Sequence, residues 1–114
     1  MAAGADYDKD NIFAKIIRGE IPSYKVFETE HCIAILDAFP MAPGHSLLIP
    51  KAEGASDALG MSEESAQHTL KELPRLCRLV KKATGCEAVN VMSNCGAVSL
   101  AFSRVFYLLS YLVG

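Results

Sequence analysis

No two cysteines stand in a CxxC pair, no GxGxxG, GxxxxGK or GxSxG run occurs, and no histidine follows His68. These gaps give no support to dinucleotide, Walker-type nucleotide or hydrolase-elbow chemistry. The four cysteines, Cys32, Cys77, Cys86 and Cys95, are scattered, so clustered zinc ligands are not expected. A basic excess is also missing. The formal net charge of -2 gives no electrostatic case for nucleic acid or an anionic membrane surface. There is no internal repeat, linker or second domain, and the polar start Met1 to Asp10 does not read as a leader. Reduced thiols in a cytoplasmic or nuclear setting are the simplest expectation.

What is present fits one globular domain: 114 residues, 51% hydrophobic and 21% charged. Residues 1–10 have the composition of a flexible arm. Ile12, Phe13, Ile16 and Ile17 then share a helical face, Gly19 can end that turn, and Pro22 forces an extended restart. Tyr24–Glu28 alternates as a strand; Cys32–Leu36 and Ser46–Pro50 are short apolar runs, and the three together predict an antiparallel meander. Ser62 is a good N-cap, followed by Glu63 and Glu64 in a first helical turn. Leu70, Leu73, Cys77 and Val80 recur at helical spacing, with Pro74 expected to kink this helix without ending it. Ala88–Met92 predicts a fourth strand, and Ser93 to Gly96 a turn. The stretch from Ala97 to Gly114 is apolar, with Arg104 its only charge, yet a little short for a membrane span.

Few side chains offer chemistry. His31, in a turn, and His68, on a polar helix face, read as solvated surface groups. His45 follows a Pro- and Gly-bearing loop and opens an apolar strand, which divides its reading evenly between a structural ring and a pocket wall. Asp37 can accept two hydroxyl hydrogen bonds, as from a ribose, or cap its turn. Asn94 divides in the same way between a turn residue and a ligand contact.

The run from Ile12 to Lys51, IFAKIIRGEIPSYKVFETEHCIAILDAFPMAPGHSLLIPK, resembles the N-terminal half of the histidine triad superfamily. Its ordered parts are the IF and KII helix, GEIPS, a strand ending in LD, and PxxPGHxLxIPK. The later NVMSNCG is similar to the turn after that family's fourth strand. The resemblance implies an α+β fold: two helices on a five-stranded antiparallel sheet, pairing as a homodimer through the long helix and the fourth strand. It also implies a purine nucleoside monophosphate site and no cofactor. By position, Ile12, Phe13, Ile16, Ile35 and Ala38 would line the base pocket, and Asp37 would hold the ribose. His45 would be the first, non-nucleophilic histidine, with Asn94 at the phosphate end. Asn11 and Ala14 stand where some members carry zinc-binding cysteines, so no metal is expected.

The resemblance covers residues 11–98 and stops there, leaving 99–114 as a divergent apolar tail. Where the family continues with AGQ, this chain has Ser99, Leu100 and Ala101; the HxHxH positions fall on Val105, Tyr107 and Leu109. In the family the middle histidine attacks phosphorus. Neither Val105 nor Leu109 can carry a proton, and a phenol at Tyr107, with an ordinary pKa near 10, is a poor nucleophile. Cys95 is a weak substitute, because nothing near it in sequence lowers its pKa. The chain is therefore expected to bind purine nucleotide with catalysis impaired. The rivals are a non-enzymatic dimeric interaction protein, a truncated or alternatively spliced form of an active hydrolase, and a tail-anchored membrane form. The tail either fills the slot of the fifth strand or stays exposed.

Overall fold

The computed structural model describes residues 12–37, 43–51, 60–93 and 106–111. The element order is α1 (Ile12–Ile17), β1 (Tyr24–Glu28), β2 (Cys32–Leu36), β3 (Ser46–Pro50), α2 (Glu63–Leu70), α3 (Leu73–Thr84), β4 (Ala88–Met92) and β5 (Phe106–Tyr111). The strands form one antiparallel sheet in the order β1-β2-β3-β5-β4. The last strand of the chain is thus inserted between β3 and β4, with Leu47 opposite Tyr107 and Asn90 opposite Leu109. Part of the apolar tail occupies the fifth-strand slot.

The apolar runs of β2 and β3 follow from burial on both faces. Ile33, Ile35, Leu47 and Ile49 alternate onto one face and form a cluster with Phe13 of α1, joined by Ile16 and Ile17. Cys32, Ala34 and Leu48 alternate onto the other, against Phe27, Leu76, Val80 and Leu108. Side chains in a strand alternate with a period of two, so a strand covered on both sides must be apolar throughout.

The long helical stretch departs from expectation at one point. Pro74 does more than kink it: the stretch breaks into α2 and α3, with a turn at Lys71–Glu72. Proline has no N–H for the carbonyl four residues back, here Leu70, and it sits comfortably in the first turn of α3. The ladder tightens accordingly, with Glu72 N donating to Thr69 O at 3.1 Å. The break also rotates Leu70 out of the apolar stripe. Leu70 is exposed, and Leu76 takes the fully buried place beside Val80. The N-cap is as expected, Ser62 Oγ accepting from Ser65 N at 3.1 Å. Among the described residues no helix is long and apolar enough to cross a membrane.

Candidate functional site

Asp37 ends β2 and His45 precedes β3, which makes them neighbours across the hairpin that joins these strands. The backbone closes the pair: Asp37 N donates to His45 O at 2.9 Å. Their side chains also meet, His45 Nε2 lying 3.5 Å from Asp37 Oδ2. The imidazole is 5% exposed and the carboxylate 22%. A partly exposed carboxylate beside a buried ring is a group that can accept from an incoming hydroxyl donor.

One close approach and two hydrogen bonds define the turn that carries His45. Gly44 has a φ of 75°, and an added Cβ there would lie 2.6 Å from Thr84 Cγ2 at the end of α3. Ser46 Oγ donates to Gly44 O at 2.7 Å. From β5, Ser110 Oγ donates to Pro43 O at 2.5 Å. Ser110 is buried, and sequence reading passed over it because it stands as one small polar residue in an apolar tail. Its role depends on β5 lying beside β3, a pairing of segments about sixty residues apart in the chain.

Of the residues expected to line a base pocket, Phe13, Ile16 and Ile35 come together in one cluster. Phe13 and Ile35 are buried in the cluster beneath α1, while Ile12 is exposed. Ile16 borders a groove of about 260 Å³ between α1 and β1, together with Ile21, Lys25 and Ile33. Ala38, Asn94, Val105 and Cys95 lie outside the described residues. Tyr107 and Leu109 fall on the β5 backbone.

The other two histidines correct the sequence reading. His31 and His68 are not separate solvated groups: their rings stack, centroids 3.7 Å apart and planes within 11°. They border a depression of about 370 Å³ that also meets Lys51 and Glu64. It lies at the Pro50 end of β3, away from His45. Nearby, Lys51 Nζ donates to Thr29 O at 2.7 Å and pairs with Glu28 at 2.6 Å. Hydrogen bonds from Lys25, then Lys51, hold the Glu28 carboxyl down at about 2. Burial pushes the Cys32 and Cys77 thiols up, which makes them poor nucleophiles. Among the described residues no group of three or more His, Cys, Asp or Glu side chains is placed to hold a metal ion.

An antiparallel sheet with helices on its two faces, and an aspartate–histidine pair where β2 ends and β3 begins, defines a small α+β domain whose site sits at a strand junction. The HIT domain family matches residues 18–105, and the chain belongs to that family. It is 46% identical over 95 residues to an uncharacterized 13.2 kDa HIT-like protein of Azospirillum brasilense, covering 79% of this chain and 75% of that one. It is 36% identical over 99 residues to an adenosine 5'-monophosphoramidase of Saccharomyces cerevisiae. That match covers 87% of this chain, which spans only 60% of the yeast protein. A crystal structure of a HIT-like protein involved in cell-cycle regulation from Bartonella henselae superposes with a TM-score of 0.87 at 37% identity. The superposition covers 95% of this chain and 84% of that one.

Proposed function

We propose that this chain binds a purine nucleoside monophosphate, with the Asp37 carboxylate accepting the ribose hydroxyls beside His45, and that it turns such ligands over poorly or not at all. The carrying observation is the Asp37–His45 pair, a carboxylate 3.5 Å from a buried imidazole where β2 ends and β3 begins. The activity named for the yeast relative, 36% identical, favours a nucleotide over other hydroxyl-bearing ligands. Impaired turnover follows from the composition of β5, where no histidine stands anywhere between Phe106 and Tyr111. Without an imidazole nucleophile the covalent route through a nucleotidyl-histidine is closed, and loss of a nucleophile typically removes several orders of magnitude in rate.

Isothermal titration of AMP and GMP into the intact chain tests the binding half. Saturable one-to-one heat that disappears in Asp37→Ala supports the reading; no heat from a folded, monodisperse sample rejects it. Adenosine phosphoramidate hydrolysis tests the other half, and turnover at a rate usual for hydrolytic enzymes would reject impaired catalysis.

Homodimerisation is part of the same proposal. β4 is an edge strand, and Val91 and Met92 on it are exposed, as is Leu79 of α3. An open edge flanked by bulky apolar side chains is a surface that a second copy would cover. This surface also supports the second reading, a dimeric interaction protein that does not depend on the pocket. A monomer by sedimentation at about 100 µM, well above the range of stable dimers, would remove both. A cytoplasmic or nuclear setting remains part of the proposal, and fractionation of the source cells tests it.

A further inference from the structure

The His31–His68 stack joins two elements that little else connects. His31 sits in the turn between β1 and β2, and His68 lies on α2. The only described residue of α2 that is buried is Thr69, and Leu70 faces solvent. α2 is separated from α3 by the break at Lys71–Glu72, so it does not share the apolar stripe that seats α3 on the sheet. α2 also packs on β3 and buries Thr69; the stacked rings, 3.7 Å apart, are its tie to the β1–β2 turn.

We propose that this stack is a proton-sensitive clasp, holding α2 against the β1–β2 turn while at least one ring is neutral and releasing it when both are charged. Two neutral imidazoles, or one neutral and one cationic, attract through their faces. Two imidazolium rings at this separation repel, and coplanar stacking places their charges almost as close as they can come. Histidine is the side chain that ordinarily changes charge between about pH 5 and 8.

The surrounding charges partly oppose one another. On the turn, Glu30 lies 3.8 Å from His31 Nε2, but it is 89% exposed and screened by water. On α2, Glu64 borders the same depression. From the end of β3, Lys51 borders it too, and its ammonium is already engaged by Glu28 and the Thr29 carbonyl. Lys71 and Glu72 of the α2–α3 turn both act electrostatically on Cys32, which follows His31. The nearby carboxylates do not remove the repulsion between two charged rings, and it is the second charge that loosens α2.

The test uses the full chain labelled with 15N and 13C. Ring resonances of His31 and His68 are followed from about pH 8 to about pH 4.5, the interval over which histidine ordinarily titrates. Amide protection over residues 63–70 is compared with that over 73–84, corrected for intrinsic exchange. The proposal expects the two rings to titrate in sequence. It expects protection of α2 to fall by about tenfold or more at low pH while α3 holds. In His31→Phe, which keeps an aromatic face without a proton site, α2 should stay protected throughout. Coincident, independent titration of the two rings in the unmodified chain would overturn the clasp. So would α2 protection that is unchanged with pH, or a loss that persists in His31→Phe. If that variant fails to fold, the ring titration in the unmodified chain decides alone.

Discussion

Asp37 and His45 face one another across the β2–β3 hairpin, joined once through the backbone at 2.9 Å and again through their side chains at 3.5 Å. The double contact holds the carboxylate against the start of β3, so a ligand meets a group whose orientation is already set. Asp37→Asn keeps the shape of the side chain and removes its charge. It should leave the melting temperature nearly unchanged while weakening AMP binding by about tenfold or more, since charge-assisted hydrogen bonds are the strong ones. Paired calorimetry and thermal melts separate these effects; a collapse in stability would make Asp37 a structural residue first.

Gly44→Ala should destabilise the chain by about 1–3 kcal/mol. The new methyl would lie 2.6 Å from Thr84 Cγ2 at a φ of 75°. Thr84 cannot easily swing aside: its hydroxyl donates to Val80 O at 2.7 Å and accepts from Cys86 N at 3.2 Å, and its branched carbon restricts rotation. Gly19 is the control, with a φ of 79° and no atom within 4 Å of the added carbon. Gly19→Ala carries the backbone strain without the clash, so denaturant midpoints should show the larger loss at Gly44.

The acid limb of stability should contain a contribution from Glu28. Its carboxyl is lowered from 4.5 to about 2 by Lys25 and Lys51. A depressed carboxylate stabilises the fold above its unfolded value, and that contribution disappears as the pH falls from about 4.5 towards about 2. Glu28 is 32% exposed, so solvent screening limits the gain to roughly 1 kcal/mol or less. Urea midpoints for the parent and Glu28→Gln should differ at pH 7 and converge near pH 2; a constant gap would contradict this.

Leu108→Ala tests whether β5 belongs to the cooperative core. Leu108 is fully buried and packs with Leu48, Leu76 and Val80. Truncating a leucine at such a site typically costs about 2–5 kcal/mol. A loss well below that range by chemical denaturation would mean that the tail strand is dispensable to the fold.

Much of the architecture was legible one segment at a time. The ranges Tyr24–Glu28, Cys32–Leu36, Ser46–Pro50 and Ala88–Met92 follow from local periodicity and from the prolines and glycines that bound them. The family was legible: LD and PxxPGH carried the resemblance, which named Asp37 and His45 as separate candidates, and the match to the family then showed the membership. That the two side chains meet was not legible, because it depends on how β2 and β3 pair. The break before α3 was misjudged because the consequence of Pro74 depends on whether the surrounding core can seat a continuous helix, and periodicity does not report that.

By itself, then, the sequence determined the elements and their apolar faces, because side-chain spacing and backbone stereochemistry act over a few residues. Tertiary structure alone decided the rest. It placed β5 between β3 and β4, brought Ser110 to the Pro43 carbonyl, and stacked His31 on His68. Each joins parts of the chain that are distant in sequence, 67 residues for Pro43 and Ser110. Such contacts form only once burial of the whole sheet has offset the entropy of closing those loops.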